Sequence, residues 1–327
     1  MYYPILRGKR FELLALRETA EVMAQSGNFF PVIEPVRENT IDSDLLRAME
    51  ALASHGVDFG VVIDPLVGDF KTKEGPAALL SKLTTVEDWQ ERFGSHITLI
   101  AAASPNANQS DATRIVLADQ ALKTLPFGVW CTENFEVGQL GLAGSELSVG
   151  TFIAPEQRML NRLTRGLAPS PNRVLVEDRF PVQASNRAYV ERHEAIFTED
   201  HLYYAAEGLE GFADFLTIGQ VYREGGGMPN VVAIHWTYAK KDARDDDGFP
   251  VYLSHFCSDP SDEVTDVATK YRQASQALLS FVDENGIVSN PALQVLRDYA
   301  ERGDFPGLGM LKKLSIVNHL HVMAGVM

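Results

Sequence analysis

The sequence predicts an α/β fold, a closed (β/α)8 TIM-like barrel that is irregular at its C-terminal end. Seven short apolar runs rich in Val and Ile recur along the chain, and amphipathic stretches separate them. Near-continuous apolar runs are typical of parallel strands covered on both faces, and their alternation with helices indicates βα units. No G-x-G-x-x-G follows the first run, which argues against a dinucleotide-binding doubly wound sheet and leaves no nucleotide-cofactor motif.

The predicted elements follow in order along one domain of residues 1–327. Residues 1–28 are an N-terminal extension, with an extended PILRGK stretch and a helix from Phe11 to Ala24. Period-2 or continuous apolar runs predict strands, and amphipathic stretches predict helices. The strands are predicted at 29–36, 57–64, 96–103, 127–133, 147–154, 173–178 and 215–222. The helices are predicted at 42–54, 76–92, 110–123, 155–165 and 186–210.

The last third of the chain breaks the alternation. Only REGGGMPN lies between the runs 215–222 and 231–238, which is too short for the helical crossover that parallel strands need. We therefore predict that these two runs form a hairpin, with the glycines in its turn. A further run, 250–257, is predicted to return parallel as the eighth barrel strand, and a helical segment, 258–327, follows it.

Composition limits the classes of function. The formal net charge of −15 argues against wrapping nucleic acid, which needs clustered Lys and Arg. Cys131 and Cys257 lie far apart, which argues against a disulfide framework or a thiolate zinc site. No apolar run approaches the roughly 18 residues of a membrane span, and the first residues lack a secretory apolar core, so we expect a cytoplasmic protein without membrane contact. The acidic run within 242–247 is predicted to be a solvated turn.

Carboxylates stand at the ends of the apolar runs. Proline directly follows two of them, which ends the strand and orients the turn. Because the carboxyl ends of barrel strands face the ligand, we expect Glu34, Asp64, Glu133 and Glu177 to point into one shared cavity. The carboxylates at these ends are Glu34, Asp64, Glu133, Glu177 and Asp178.

Crowded carboxylates repel one another, so they need a divalent cation, neighbouring Arg or Lys side chains, or raised pKa values. A ring rich in oxygen and poor in His suits Mg²⁺ or Mn²⁺, and the hypothesis is metal-assisted phosphoester hydrolysis. An ion-pair network without catalysis is the alternative. The predicted metal ligands are Glu34, Asp64, Glu133 and Asp178. The predicted catalytic residues are Glu34, Asp64, Glu177 and His235.

Basic side chains near the strand ends predict an anionic ligand. Arg37, Arg179 and Arg223 lie within a few residues of these ends, and guanidinium groups hold phosphate or carboxylate in a bidentate grip. With the adjacent Tyr222, they are the predicted binding residues for a small phosphate-bearing ligand or nucleotide. His235 stands within the run VVAIHWTY, where a structural hydrogen-bonding role is the alternative to catalysis.

Two stretches resemble one known family. The first runs from a Pro-Ile-Leu segment through a Lys and a Glu-x-x-Ala-Leu helix to a Pro-x-Ile-Glu strand, and the second is DFLTIGQVYREGGGMPNVVAIHWTY. Together they resemble the beta-protein family of phages and bacteria. Family members tend to have Gly-Asp where this chain has Gly219 and Gln220, which weakens any catalytic or metal role that the resemblance would carry over to that position. The matching N-terminal residues are Pro4, Ile5, Leu6, Lys9, Glu12, Ala15, Leu16, Pro31, Ile33 and Glu34.

The resemblance implies a partner. The bacterial subgroup with a similar MYYP start looks like one half of a two-gene cassette, whose other product is similar to a restriction-type nuclease. This setting implies a role in antiphage defence. Two classes of function therefore stay open: a divalent-metal-dependent phosphoester hydrolase with an acidic pocket, and a non-catalytic binding or regulatory partner of a nuclease-like protein.

Overall fold

Eight parallel strands close into a barrel in the computed structural model, and the predicted (β/α)8 fold is confirmed. The structure describes residues 1–72, 74–103, 109–133, 148–192, 194–225, 229–240, 248–261 and 265–327, without the side chains of 109–112 and 114. The strands are β1 (Tyr2–Leu6), β2 (Val32–Ile33), β3 (Phe59–Val62), β4 (Ile97–Ala103), β5 (Phe127–Cys131), β6 (Val149–Ala154), β7 (Asn172–Val176), β8 (Ala195–Thr198), β9 (Gly211–Asp214), β10 (Ala233–Ala239) and β11 (Val251–Cys257). The helices are α1 (Arg10–Ser26), α2 (Leu46–Ser54), α3 (Gly75–Thr84), α4 (Trp89–Phe93), α5 (Gln109–Ala118), α6 (Gln157–Leu163), α7 (Asp200–Tyr203), α8 (Val267–Asn285), α9 (Pro291–Arg302) and α10 (Leu308–Val326).

The chain forms two compact units. The first comprises residues 1–177 and 203–214 and contains the barrel, in the order β1 to β7 and then β9. The second comprises 178–202 and 215–327 and contains a three-stranded sheet in the order β10, β11, β8.

The inner face of the barrel follows from one contact across it. The Arg7 guanidinium lies 5.7 Å from the ring centroid of Trp130, and these residues come from β1 and β5, which are not neighbours in the barrel. Both side chains therefore point inward, and the period-2 alternation places Tyr3 inside as well. A Cβ on Gly211 would lie 2.5 Å from the Tyr3 ring, and one on Gly60 would lie 2.2 Å from Ile100. Glycine at these positions makes room for bulky neighbours in the barrel core.

The strand that closes the barrel was predicted incorrectly. The run 215–222 contains no strand, and the eighth position is filled by β9, which pairs in parallel with β1 and β7. The prediction of residues 1–28 as an extension is also wrong, because β1 pairs with β2 and β9 and is a full barrel strand. With β1 in the ring, the run 250–257 is not needed to close it.

The predicted hairpin between 215–222 and 231–238 is also wrong. The run 231–238 supplies β10, which pairs antiparallel with β11 from Ala233 opposite Cys257 to Ala239 opposite Val251. The predicted helix 186–210 is wrong too, because part of it is β8, which pairs with β11. Strand pairing here overrides the helical pattern of the isolated segment. The glycine-rich tip at 226–228 and the acidic run at 241–247 lie outside the described residues.

In the second unit, helix α10 covers the edge of the sheet and helix α8 covers one of its faces. Ser315 Oγ of α10 donates to the carbonyl oxygen of His235, and Asn318 Nδ2 donates to that of Thr237 at 2.8 Å. These bonds satisfy carbonyl groups on the edge strand β10, where an open edge would invite unwanted strand pairing. On one face, the rings of Tyr238 and Phe256 pack against Phe281 of α8, with centroid distances of 5.1 and 5.2 Å.

Candidate functional site

A buried ion pair joins the ends of the first two barrel strands. Arg7 follows β1, Glu34 follows β2, and the parallel register places them side by side on the inner face. Arg7 Nη1 donates to Glu34 Oε2, and the side chains are 8% and 0% exposed. Glu34 Oε1 accepts the backbone N–H of Leu66 at 2.9 Å. Both carboxylate oxygens of Glu34 are therefore engaged, and Arg7 balances its charge.

Hydrogen bonds hold the backbone around the Arg7–Glu34 ion pair. The backbone N–H of Arg7 donates to Glu12 Oε2 of α1 at 2.7 Å, and the Thr40 hydroxyl donates to the Gly8 carbonyl oxygen at 3.3 Å. Gly8 has a φ of +60°, and a Cβ there would lie 2.9 Å from the carbonyl oxygen of Glu34. Glycine is therefore required both by the left-handed backbone and by this close approach. The PILRGK stretch thus brings Arg7 to Glu34.

Asp64 is the second carboxyl group on the inner face of the barrel. It follows β3, is 8% exposed, and its Oδ1 accepts the N–H of Ala102 on β4 at 2.6 Å. The strand register continues from Ala102 to Trp130, which faces inward. Asp64 Oδ2 is buried and has no hydrogen-bond partner in the described part of the chain. Burial raises the pKa of Asp64 to about 8, although the Ala102 hydrogen bond opposes that rise. The group is therefore mostly a protonated carboxylic acid at neutral pH.

The structure does not bring Glu133 and Glu177 into this cluster. Glu133 is exposed in the turn after β5. Val176 pairs with Ala213, which in turn pairs with the inward-facing Tyr3, so alternation places Glu177 on the opposite face of β7. Of the four carboxylates expected from the sequence to share one cavity, the strand register places Glu34 and Asp64 on the inner face, and it does not place Glu177 there.

The predicted metal ligands do not form a metal-binding group. Among the residues that the structure describes, no three or more His, Cys, Asp or Glu side chains lie together in a way that could hold a metal ion. Asp178, which belongs to the second unit, accepts backbone N–H groups of Phe180 at 3.3 Å and Gln220 at 2.9 Å. Glu34 is paired with Arg7, and burial keeps Asp64 protonated. The donor set therefore does not fit Mg²⁺ or Mn²⁺.

The predicted phosphate-binding side chains hold protein partners. Arg37 lies in the barrel unit, whereas Arg179, Arg223 and Tyr222 lie in the second unit, as does His235 on β10. Arg179 makes a two-point contact through Nε and Nη2 at 3.1 and 2.5 Å, which is the grip that a phosphate would receive. The partners are Asp69 for Arg37 at 3.4 Å, Asp200 for Arg179, the carbonyl oxygen of Gln183 for Arg223 at 3.0 Å, and Glu224 for Tyr222 at 3.0 Å.

Arg7, Trp130 and Asp214 are not among the site residues predicted from the sequence. The signal for Arg7 was its position directly after an apolar stretch and before Gly8, the same kind of strand end that selected Glu34. Asp214 ends β9, is 1% exposed, and accepts a hydrogen bond from the Tyr2 hydroxyl at 2.6 Å on the outer face of the barrel. Trp130 carried no signal of its own, because only barrel closure places it opposite Arg7.

Comparison with known proteins gives distant structural likenesses. No protein-family model and no curated protein matches the chain. The crystal structure of N-acetylneuraminate lyase from Mycoplasma synoviae matches with a TM-score of 0.38 and 11% sequence identity, covering 65% of this chain and 68% of that chain. This likeness concerns the fold alone. In the described part of the chain, no helix combines the length and the apolar character that crossing a bilayer requires.

Proposed function

We propose that the carboxyl end of the barrel binds a small phosphate-bearing molecule and that Asp64 acts there as a proton donor. The observation that supports this most is the state of Asp64, a buried carboxylic acid on the inner face with one oxygen, Oδ2, that has no partner among the described residues. Ligands of barrels of this type bind where the strands end. A buried titratable group with a strongly shifted pKa at such a place is a functional-site candidate.

The charges of Arg7, Glu34 and Asp64, taken together, suit an anionic ligand. Arg7 and Glu34 cancel each other, and a protonated Asp64 adds no charge. An ionised carboxylate would repel a phosphate, whereas a protonated one donates a hydrogen bond to a phosphate oxygen. The Arg7 side chain, held by Glu34 and the Trp130 ring, places guanidinium hydrogen-bond donors on the same inner face.

The same state of Asp64 supports general acid catalysis. Proton donors work best when their pKa lies near the working pH, and a pKa of about 8 meets this condition. In phosphoester hydrolysis, a water molecule would attack phosphorus, and Asp64 would give its proton to the leaving-group oxygen as the bond from that oxygen to phosphorus breaks. The Asp64 carboxylate would then take up the proton that the attacking water loses. Because the donor set does not fit a divalent cation, the proposed step assigns no role to a metal ion.

The test combines ligand binding with turnover. Inorganic phosphate and nucleoside monophosphates would be titrated into the full chain by calorimetry, and hydrolysis of p-nitrophenyl phosphate would be followed from pH 5 to 9. We expect Asp64→Asn to retain phosphate binding, because the amide still donates a hydrogen bond, and to lose about 10²- to 10⁴-fold in hydrolysis. Glu133→Gln, an exposed carboxylate after a barrel strand, is the matched control.

Three results would contradict the proposal. The wild-type chain could fail to bind phosphate at millimolar concentration, Asp64→Asn and Glu133→Gln could behave alike, or hydrolysis could be insensitive to Asp64. Binding without measurable turnover would remove the general acid role and leave the ligand site.

The formal net charge of −15 favours a second candidate function, a partner role. An acidic protein is suited to occupy the basic groove of a nuclease, in line with the cassette that the beta-protein resemblance implies. Binding to the nuclease-like partner would be measured by size-exclusion chromatography at low and high salt. We expect a complex that weakens as salt rises, because screening reduces attraction between exposed charges. No complex at low salt would contradict this role.

A further inference from the structure

Two histidines face each other on the sheet of the second unit. His235 on β10 and His255 on β11 are directly opposite in the antiparallel register, and their Nδ1 atoms are 2.8 Å apart. A single N–H connects them, because one Nδ1 must donate and the other must accept. Neither imidazole has another side-chain hydrogen bond among the described residues.

Both imidazoles are neutral at physiological pH. Burial, with the neighbouring His255, lowers the pKa of His235 to about 3. Burial, with the positive charge of Arg192, lowers the pKa of His255 to about 4. Tyr189 and Cys257 are the other titratable groups at this cluster, and burial raises the pKa of both. Imidazole with its ordinary pKa of about 6.5 is also mostly neutral at pH 7.5, so the geometry of the pair decides whether it can hold an ion.

Aromatic packing fixes the orientation of both rings. Phe180 lies edge-on to His235 at a centroid distance of 4.9 Å, and Tyr189 lies 4.7 Å from His235 and 4.5 Å from His255. The Tyr189 hydroxyl itself accepts the N–H of Gln183 at 3.0 Å. The two Nδ1 atoms are thus held together by the sheet register and by a packed wall on the same face.

We propose that His235 and His255 chelate one transition-metal ion of the Zn²⁺, Ni²⁺ or Cu²⁺ class through their Nδ1 atoms. Neutral imidazole is a preferred ligand for these ions. Two nitrogens bound to zinc at roughly 2.0 Å in tetrahedral geometry lie about 3.3 Å apart. Both rings must therefore turn from the orientation that the aromatic packing now holds, until the pair opens and both lone pairs point at the ion. The proton now between the rings moves to the Nε2 of its own ring, and both Nδ1 lone pairs become available.

Water, rather than Cys257, would complete the coordination. This thiol lies two residues beyond His255 on β11, but the described residues contain no group of three His, Cys, Asp or Glu side chains placed to hold a metal ion. The site belongs to the second unit alone, and it is independent of the function proposed for the barrel.

The experiment uses the full chain and the metal ions alone. ZnCl₂ and NiCl₂ would be titrated by calorimetry at pH 7.5 into the wild type and into His235→Gln and His255→Gln. We expect one ion per chain and at least about a tenfold loss of affinity in either variant, since losing even an outer-shell partner of a metal ligand costs 10- to 100-fold. His55→Gln, which alters an exposed histidine of the other unit, is the matched control and should bind like the wild type.

Two further measurements on the wild type do not depend on how the variants fold. Titration at pH 7.5 in two buffers of different ionisation enthalpy should show little proton release, because imidazole is mostly neutral at this pH and the ring that donates only changes tautomer. The spectrum of bound Cu²⁺ in electron paramagnetic resonance should show coupling to two nitrogens.

Several outcomes would overturn the proposal. They are the absence of binding up to millimolar metal, stoichiometric binding that survives both histidine variants, and copper coupled to fewer than two nitrogens. The release of one proton per ion that disappears in Cys257→Ser would overturn the assignment of two imidazoles and water.

Discussion

Replacing Asp64 with Asn should make the barrel unit more stable relative to the wild type as the pH rises. Burial raises the pKa of Asp64 from 3.8 to about 8, so the folded chain holds this proton more tightly than the unfolded chain. The stabilising effect of such a group is complete below the unfolded pKa and is lost as the pH rises toward the folded pKa. Asparagine does not titrate, and its Oδ1 can still accept the Ala102 N–H, so the variant lacks this loss.

The magnitude follows from the two pKa values. A difference of one pKa unit corresponds to roughly 1.4 kcal/mol, so the ionisation penalty in the wild type grows from about 1 kcal/mol at pH 4.5 to about 4 kcal/mol at pH 7. The free energy of unfolding of Asp64→Asn, minus that of the wild type, should therefore increase by about 3 kcal/mol over this interval. A constant offset from the buried amide does not affect the increase.

Urea unfolding followed by tryptophan fluorescence would measure this difference at half-unit pH steps from 4.5 to 8. Trp89 and Trp130 report on the barrel unit and Trp236 on the second unit, so the background of every variant should carry Trp236→Phe. Glu133→Gln serves as the control because its carboxylate is exposed, and its difference from the wild type should stay flat. Infrared absorption of a protonated carboxyl group at pH 7, absent from Asp64→Asn, would give an independent reading.

A difference that does not change between pH 4.5 and 7 would refute the reasoning. It would mean that Asp64 ionises in the folded chain as it does in water, and the proposed general acid role would fall with it. A difference that shrinks as the pH rises would show that the folded state favours the carboxylate.

Three other predictions concern the surroundings of this site and the histidine pair. Arg7→Met should lower the free energy of unfolding by about 3–5 kcal/mol, because it leaves Glu34 buried without its cation. Adding Glu34→Gln to this variant should recover most of the loss. If the effects of the two substitutions in urea unfolding are additive, the two residues are not coupled. Gly8→Ala should lower the free energy of unfolding by about 1–3 kcal/mol more than Gly27→Ala does. Both glycines have a positive φ, but only a Cβ on Gly8 would meet backbone, at 2.9 Å from the carbonyl oxygen of Glu34. Equal melting temperatures of the two variants would count against this contact. Because burial lowers the pKa of His235 to about 3, its neutral form stabilises the fold above pH 6.5, and that contribution is lost as the pH falls toward 3. His235→Gln should therefore flatten the fall in stability from pH 6.5 to 4, and an unchanged slope in urea unfolding would argue against a buried neutral imidazole.

At the strand ends of the barrel, local sequence patterns predict which residue stands there but not which face its side chain occupies. An apolar run followed by a carboxylate and Pro is a local pattern, and it correctly placed Glu34 and Asp64 at strand ends. Whether a strand-end side chain faces the interior depends on the register with the neighbouring strands. This register turns Glu177 away from the inner face, although its own sequence context resembles that of Glu34.

For a similar reason, a local sequence pattern could not predict which strand closes the barrel. Phe215 and Leu216 contribute to the apolar character of the run 215–222. They are buried, at 1% and 0% exposure, although neither lies in a strand. Burial and strand formation produce the same apolar signal in a short segment. The four residues of β9 and the five of β1 close the ring, and both are too short to show a clear periodicity.

The sequence by itself determined the class of fold and which residue types stand where the strands end, because both follow from periodicity and from the short range over which Pro and Gly act. Only the tertiary structure decided the surroundings of each group. Glu34 gains a cationic partner because the pairing of β1 with β2 brings it the guanidinium of Arg7, from 27 residues earlier in the chain. Asp64 takes up a proton because burial within the barrel removes water from it. Ionisation depends on solvent exposure and on neighbours from distant parts of the chain, and these exist only once the barrel has formed.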